Sequence, residues 1–172
     1  MRRLTSNALA LLAVGVTLIA LSVPGSATVA PARPDHVTVE GTWTDPGPTI
    51  DSITPDGPAY IVALHGNTTA SGPFAGVSAY SFTLRYDPTT GRFHGPGQET
   101  FTASLDGAGS GTVTFAEQFR LAPDGSTSVT GVVVGGDGIF TGAHGALHFV
   151  GATEPGSSTS AGTFRLVLEL HA

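Results

Sequence analysis

"QETFTASLDGAGSGTVTFAEQFRL" (98–121) is the stretch of sequence that decides the fold. Its two runs, 98–105 and 112–121, alternate apolar and polar residues, which is typical of β-strands buried on one face. The glycine-rich segment "DGAGSG" between the runs predicts a turn. The stretch is therefore predicted to be an antiparallel β-hairpin.

The rest of the chain after residue 35 repeats this pattern of strands and glycine- or proline-marked turns, without sustained helical periodicity. Further strands are predicted at 36–43, 59–65, 78–86, 127–135, 145–151 and 163–171, with a short strand at 49–53. About eight short strands must close into a barrel or form a sandwich to protect their edges. Sequential hairpins favour an up-and-down topology, so the predicted fold is all-β, a small antiparallel β-barrel of about eight strands.

The first thirty residues have the layout of a secretory signal peptide. Arg2 and Arg3 precede an apolar run, and small residues follow Pro24, so cleavage is predicted after Ala27 or Ala30. The alternative is a retained membrane anchor, because the apolar run is nearly long enough to span a bilayer. Cleavage is the favoured interpretation. It predicts a secreted protein with one β-barrel domain, 31–172, and no stable membrane anchor.

The charge of the predicted domain excludes several kinds of partner. Two of the seven arginines precede residue 31, so 31–172 has five arginines against thirteen acidic residues, a formal charge of −8, and the chain has no lysine. Such a surface repels phosphate backbones, so nucleic-acid binding is not expected. Without lysine or cysteine there is no Schiff-base chemistry and no disulfide. Nothing in the sequence indicates an oligomeric state.

A second glycine-rich segment, "GGDGIFTGAHGALHF" (135–149), has the appearance of a phosphate-binding loop. A dinucleotide site needs a helix directly after the glycines, and a P-loop needs a lysine. Neither is present here. The pattern G-x-F-x-G also occurs in "GPFAGVSAYSF" (72–82), again before a strand. Both copies are therefore predicted to be tight barrel corners whose phenylalanine seals one end of the core.

These two glycine-rich regions carry a family resemblance. "ETFTASLDGAGSGTVTFAE" followed by "GGDGIFTGAHGALHF" resembles a small bacterial β-barrel family of unknown function, within the wider group of allene oxide cyclase-like barrels. The similar region covers roughly 80–170. The resemblance implies a small barrel with an apolar interior that can hold a small molecule. In the cyclase relatives such interiors steer ring closure.

The hairpin places two carboxylates among apolar residues. Glu99 shares the parity of Phe101, and Glu117 shares that of Phe115, so both side chains are predicted to point into the barrel. A turn centred on Ala108 would put the glutamates directly opposite each other, whereas a register one step different would make them diagonal neighbours. Burial and like charge would then raise at least one pKa.

We interpret Glu99 and Glu117 as candidate catalytic residues that share a proton. The alternative is that one or both lie at the barrel mouth, solvated or paired with an arginine such as Arg85 or Arg120, although these two arginines have outward parity.

Aromatic residues of core parity are candidate ligand contacts, namely Tyr80, Phe82, Phe101, Phe115 and Phe119, with ordinary core packing as the alternative. The histidines lack the spacing of a metal site, apart from His144 and His148 with equal strand parity, and no metal or cofactor is expected. The favoured function is binding of a small apolar molecule in the barrel. The alternatives are a cofactor-free cyclase or isomerase using the glutamate pair, and a structural secreted domain with a filled core.

Overall fold

The computed structural model describes residues 36–154 and 156–171, and the predicted signal peptide lies outside this part of the chain. The described residues form ten β-strands and one short 3₁₀ turn. No helix among them is long and apolar enough to cross a membrane. The strands are β1 His36–Asp45, β2 Thr49–Asp56, β3 Ala59–Gly66, β4 Thr69–Ser71, β5 Phe74–Asp87, β6 Arg92–Leu105, β7 Gly109–Leu121, β8 Ser126–Gly136, β9 His144–Thr153 and β10 Ser160–Glu169.

The ten strands form a closed antiparallel barrel with eight strand positions. β1 and β2 together form one position, and β3 and β4 form the next, because both β3 and β4 pair with β5. From β5 to β10 each strand pairs with its successor, and β10 pairs with β1 to close the barrel. The predicted all-β, up-and-down barrel is confirmed.

The structure lengthens several of the predicted strands. β6 begins at Arg92, six residues before the predicted start, and runs through Gly95 and Gly97. Inside the barrel these glycines allow close approach, Gly95 to the backbone of β5 and Gly97 to the ring of Phe82. A β-carbon on Gly97 would lie 2.0 Å from Cδ1 of Phe82. Likewise, the predicted loop 66–76 contains β4 and the start of β5.

One end of the barrel is filled by aromatic rings. Phe74, Phe101 and Phe115 are at most 1% exposed, and the ring of Phe74 makes edge-to-face contacts with those of Phe101 and Phe140 at centroid distances of 5.4 and 6.2 Å. Such pairs stabilise a core beyond the area that they bury. This filled end lies near the β6–β7 turn, because Phe74 pairs with Leu105.

The glycine-rich segment 135–149 closes this end. After β8 the chain forms the 3₁₀ turn Gly138–Phe140, which places Phe140 in the core with no exposed surface. Gly138 and Gly142 have φ values of +59° and +69°, a region that other residues adopt only with strain. The predicted role of this segment as a structural corner with a sealing phenylalanine is confirmed. Phe74, in the second copy of the pattern at 72–82, contacts the ring of Phe140.

Candidate functional site

The other end of the barrel encloses a cavity of about 280 Å³. Along β6, the inward residues from Phe101 to the turn belong to the filled end, whereas Glu99 and Phe93 line the cavity. The wall is mostly apolar with a few polar groups. Its apolar part includes Trp43, Val62, Leu64, Phe82, Phe93, Phe119, Val129 and Phe149, and its polar part includes Asp45, Thr68, Tyr80 and Glu99.

Inward-facing glycines shape this cavity by leaving space that neighbouring rings occupy. A β-carbon on Gly66 would lie 2.3 Å from the hydroxyl oxygen of Tyr80, so only glycine lets that ring lie flat against β3. The phenol then reaches Asp45 on β1. Its hydroxyl donates a hydrogen bond to Oδ2 of Asp45 at 2.6 Å, and the Gly47 N–H donates to Oδ1 at 2.6 Å.

Tyr80 is a neutral hydrogen-bond donor at this site. Burial raises the pKa of its phenol well above the ordinary value, and the hydrogen bond to Asp45 and the negative charges of Asp45 and Glu99 raise it further. The side chain therefore keeps its proton and holds the Asp45 carboxylate in a fixed orientation at the cavity wall.

Glu99 is the buried carboxyl of the wall, with 3% of its surface exposed. The Ser78 hydroxyl donates to Oε1 of Glu99, and the Thr68 side chain lies close enough to interact with this carboxyl. Burial raises the pKa of Glu99, an effect that the charge of Asp45 reinforces and that polar contacts with Ser78, Thr68 and Glu117 oppose. Glu99 therefore holds its proton more firmly than an exposed glutamate, although its neighbours partly offset the effect of burial.

Glu117 lies inside the barrel behind Glu99 and is equally buried, at 3% exposed. Neither of its carboxyl oxygens has a partner with good hydrogen-bond geometry in the described part of the chain. Burial raises the pKa of Glu117 to about 9, and the neighbouring charge of Glu99 is the second cause. A carboxyl without donors cannot stabilise a negative charge, so Glu117 is the member of the pair suited to keep the proton near neutral pH.

The register of the hairpin makes the two glutamates diagonal neighbours. Glu99 pairs with Phe115, and Glu117 pairs with Gly97. The register with the glutamates directly opposite is wrong, because the turn is centred on Gly107, with φ +74°, and Leu105 pairs with Gly109. The inward parity of both side chains is confirmed.

Among the residues that the structure describes, no arginine forms an ion pair with either glutamate. Arg85 faces outward and pairs with Asp56 at 3.2 Å, and Arg120 is exposed on β7. The alternative in which the glutamates are solvated at the barrel mouth or held by these arginines therefore disagrees with the structure. The acid–base role of Glu99 and Glu117 stays a prediction, and of the two only Glu99 lies on the cavity wall.

The five candidate ligand contacts divide between the two ends of the barrel. Tyr80, Phe82 and Phe119 line the cavity, and the rings of Phe82 and Phe119 lie 5.5 Å apart. Phe101 and Phe115 instead pack inside the filled end with no exposed surface. Strand parity places all five side chains inside the barrel, but it does not show where along the barrel axis the packed core ends and the cavity begins. A direct ligand contact from any of them stays a prediction.

Sequence reasoning missed Asp45, Thr68, Ser78 and Trp43. Asp45 stands in a proline-rich connection and Thr68 in a segment that resembles a loop, so no motif marks either residue. Trp43 forms part of the wall and donates its indole N–H to the Val150 carbonyl at 3.2 Å. The strand alternation of "HVTVEGTW" gives Trp43 inward parity, which is the one signal that could have found it.

The histidines do not converge on the cavity. His65 is exposed and pairs with Asp51 at 2.8 Å. His144 and His148 share the outer face of β9, as their equal parity predicts. Within 36–154 and 156–171, no three histidine, aspartate or glutamate side chains are arranged to hold a metal ion.

Comparison with solved structures shows a likeness of fold. A structure titled the pterocarpan synthase dirigent protein PsPTS1 superposes with a TM-score of 0.59, with 12% identity, over 80% of this chain and 96% of that one. A second, the pterocarpan synthase dirigent protein GePTS1, has a TM-score of 0.49 and 12% identity, over 77% and 88% of the two chains. No family model and no curated protein matches the sequence. The barrel is therefore of a kind also found in a dirigent protein.

Proposed function

We propose that this protein binds a small, mainly apolar molecule in the hollow end of its barrel. The observation that carries the proposal is the partly open cavity of about 280 Å³, whose wall is mainly apolar, with polar side chains at a minority of positions. Ligand sites in proteins have this composition, in which apolar area provides affinity and a few polar groups fix orientation. The barrel shared with a dirigent protein is compatible with this use, as is the resemblance to allene oxide cyclase-like barrels.

The cavity volume limits the size of the ligand. An apolar cavity of about 150 Å³ is enough to bind benzene, so the space here suits a larger molecule, such as a phenyl ring with a short chain. The rings of Trp43, Phe82 and Phe119 offer flat contact surfaces for such a ligand. A structural domain with a filled core is disfavoured by the same cavity, and direct catalysis by a glutamate pair is disfavoured because Glu117 does not line it.

Export is the second part of the proposal. It is supported by the basic start, apolar run and small residues of segment 1–30. A secreted barrel of this kind would capture or carry its ligand outside the cytoplasm.

Binding can be tested with N-phenyl-1-naphthylamine, an uncharged apolar probe whose fluorescence rises on leaving water. We expect saturable binding to the purified protein, accompanied by a change in the emission of Trp43, the single tryptophan of the chain. Val129→Phe should abolish binding, because Val129 lines the cavity and the larger side chain would fill it.

The matched control is Thr130→Phe, which adds the same ring at the next residue of β8, on the exposed outer face. This variant should bind the probe as the unchanged protein does. Equal loss of binding in both variants, or no saturable binding at all, would contradict the proposed function.

A further inference from the structure

We propose that the ligand of this cavity carries a protonated amine at one end of its apolar body. This inference rests on the proposed function and adds the chemical class of the ligand. It is drawn from three properties of the wall, namely which hydrogen-bonding groups remain available, which charges face the cavity, and how the Glu99 carboxyl is supported.

The side-chain donors deep in the wall are already used within the protein. The Tyr80 hydroxyl donates to Asp45, and the Trp43 indole donates to the Val150 carbonyl. The Thr68 side chain lies close enough to Glu99 to interact with its carboxyl. A ligand therefore finds few free donors there, while the carboxyl oxygens of Asp45 and Glu99 keep lone pairs that can accept more hydrogen bonds. Such a wall requires the ligand to supply the donors.

The carboxyl groups that face the cavity have no basic group beside them on the described wall. Asp45 and Glu99 lie on the wall, and no arginine or histidine is among the described residues that line it. In a mostly apolar cavity, a negative charge on either carboxyl is less screened than it would be in water. A ligand carboxylate would be repelled, and an ammonium group would be attracted and could donate up to three hydrogen bonds.

The groups around Glu99 allow it to accept a cation without rearrangement. It faces Thr68 between β3 and β4, Ser78 and Tyr80 on β5, Glu117 on β7 and Asp45 on β1. Ser78 accepts a hydrogen bond from the Thr68 N–H at 2.9 Å, and its own hydroxyl can donate to Glu99 or to the Thr68 carbonyl, which lies 3.3 Å away. These groups would stabilise a negative charge on Glu99 when a cation binds. Glu117, which is buried and lacks a hydrogen-bond partner of good geometry among the described residues, can hold the proton of the pair.

The test compares three ligands with one carbon skeleton, 4-phenylbutylamine, 4-phenylbutan-1-ol and 4-phenylbutanoate, as competitors of N-phenyl-1-naphthylamine near neutral pH. We expect the amine to bind at least about tenfold more tightly than the carboxylate, as a charge-assisted hydrogen bond should provide. The alcohol, which has one donor and no charge, should fall between them.

Two variants test whether the Glu99 and Asp45 carboxyls cause the preference for the amine. Glu99→Gln and Asp45→Asn should each reduce the ratio of amine to carboxylate affinity while the binding of the alcohol changes little. Glu40→Gln, an exposed glutamate on the outer face of β1, is the matched control and should leave the ratio unchanged.

The outcomes separate this inference from the proposed function. If the three ligands compete equally, or the carboxylate binds best, the amine inference is overturned and the cavity remains a general apolar site. If the variants bind the probe but keep the full amine preference, the inference is also overturned. If the probe itself does not bind, the proposed function fails and the inference fails with it.

Discussion

At the scale of single residues, Glu117 is the side chain whose surroundings fit its chemistry least well. It is almost fully buried, its carboxyl oxygens lack hydrogen-bond partners, and its pKa is raised to about 9. Buried carboxyls with strongly raised pKa values lower stability and are concentrated at functional sites. In this barrel Glu117 would hold a proton beside Glu99, which lines the cavity.

The raised pKa of Glu117 has a consequence for stability. The unfolded carboxyl releases its proton near its ordinary pKa of 4.5, whereas the folded one keeps it up to about 9. Between these values the folded state holds one proton more, so the free energy of unfolding falls as pH rises, by about 1.4 kcal/mol per pH unit. The stabilisation is complete below the unfolded pKa and is lost as pH approaches the folded one.

Glu117→Gln should therefore flatten the pH dependence of stability. We expect its free energy of unfolding, measured by urea denaturation at several values between about pH 6 and pH 8, to fall less steeply than that of the unchanged protein, by up to about 1.4 kcal/mol per pH unit. Glu40→Gln, which changes an exposed carboxyl, should leave the slope unchanged. Parallel slopes for Glu117→Gln and the unchanged protein would show that Glu117 is not held protonated.

At the scale of elements, the β6–β7 hairpin shows what sequence can and cannot predict. Strict alternation in "QETFTASL" and "TVTFAEQFRL" is enough to place Glu99 and Glu117 inside the barrel, because side chains alternate faces along any strand. The alternation does not fix the pairing. The register follows from the turn, where several glycines allow more than one centre, and only the structure shows that Leu105 pairs with Gly109.

The same limit applies to glycines inside strands. The strand predicted from residue 98 begins at Arg92 in the structure and includes Gly95 and Gly97. They are tolerated because the residues across the sheet, such as Phe82 over Gly97, occupy the space that a side chain would take. The sequence around Gly97 cannot show that the ring of Phe82 fills this space, because Phe82 lies on a different strand.

The 3₁₀ turn that seals the filled end provides a test at this scale. Phe140 has no exposed surface and contacts Phe74. We expect Phe140→Ala to lower the free energy of unfolding by about 3–5 kcal/mol, as loss of a buried phenylalanine generally does. Urea denaturation measures this change.

Val134→Ala is the control for this substitution, because Val134 is 54% exposed near the end of β8 and should change stability by less than about 0.5 kcal/mol. Where Phe140→Ala remains folded, its affinity for N-phenyl-1-naphthylamine should stay unchanged, since the cavity lies at the other end. A loss of stability below about 1 kcal/mol would be too small for a sealing residue.

At the scale of the whole molecule, the barrel is divided into a filled end and a hollow end. The fold class and the closed barrel could be predicted from turn spacing and strand alternation, because both depend on short-range patterns. The division could not. Whether an inward phenylalanine packs against other rings, as Phe101 does, or faces a cavity, as Phe119 does, depends on contacts among strands distant in sequence.

The cluster of polar side chains at the cavity likewise could not be predicted from local sequence patterns. Asp45, Tyr80 and Glu99 come from three different strands and meet only when the barrel closes. The sequence predicted one of the three as a candidate catalytic group and one as a ligand contact, and it offered no signal for Asp45. What the structure adds is their common position at the wall of one apolar space.

The central claim is that the hollow end receives a ligand, and a crystal structure of the protein saturated with N-phenyl-1-naphthylamine tests it most directly. The account predicts density for the probe inside the barrel, in contact with Trp43, Phe82 and Phe119, with the filled end unchanged. Probe density confined to the outer surface, or side chains of these residues filling the space, would contradict the account.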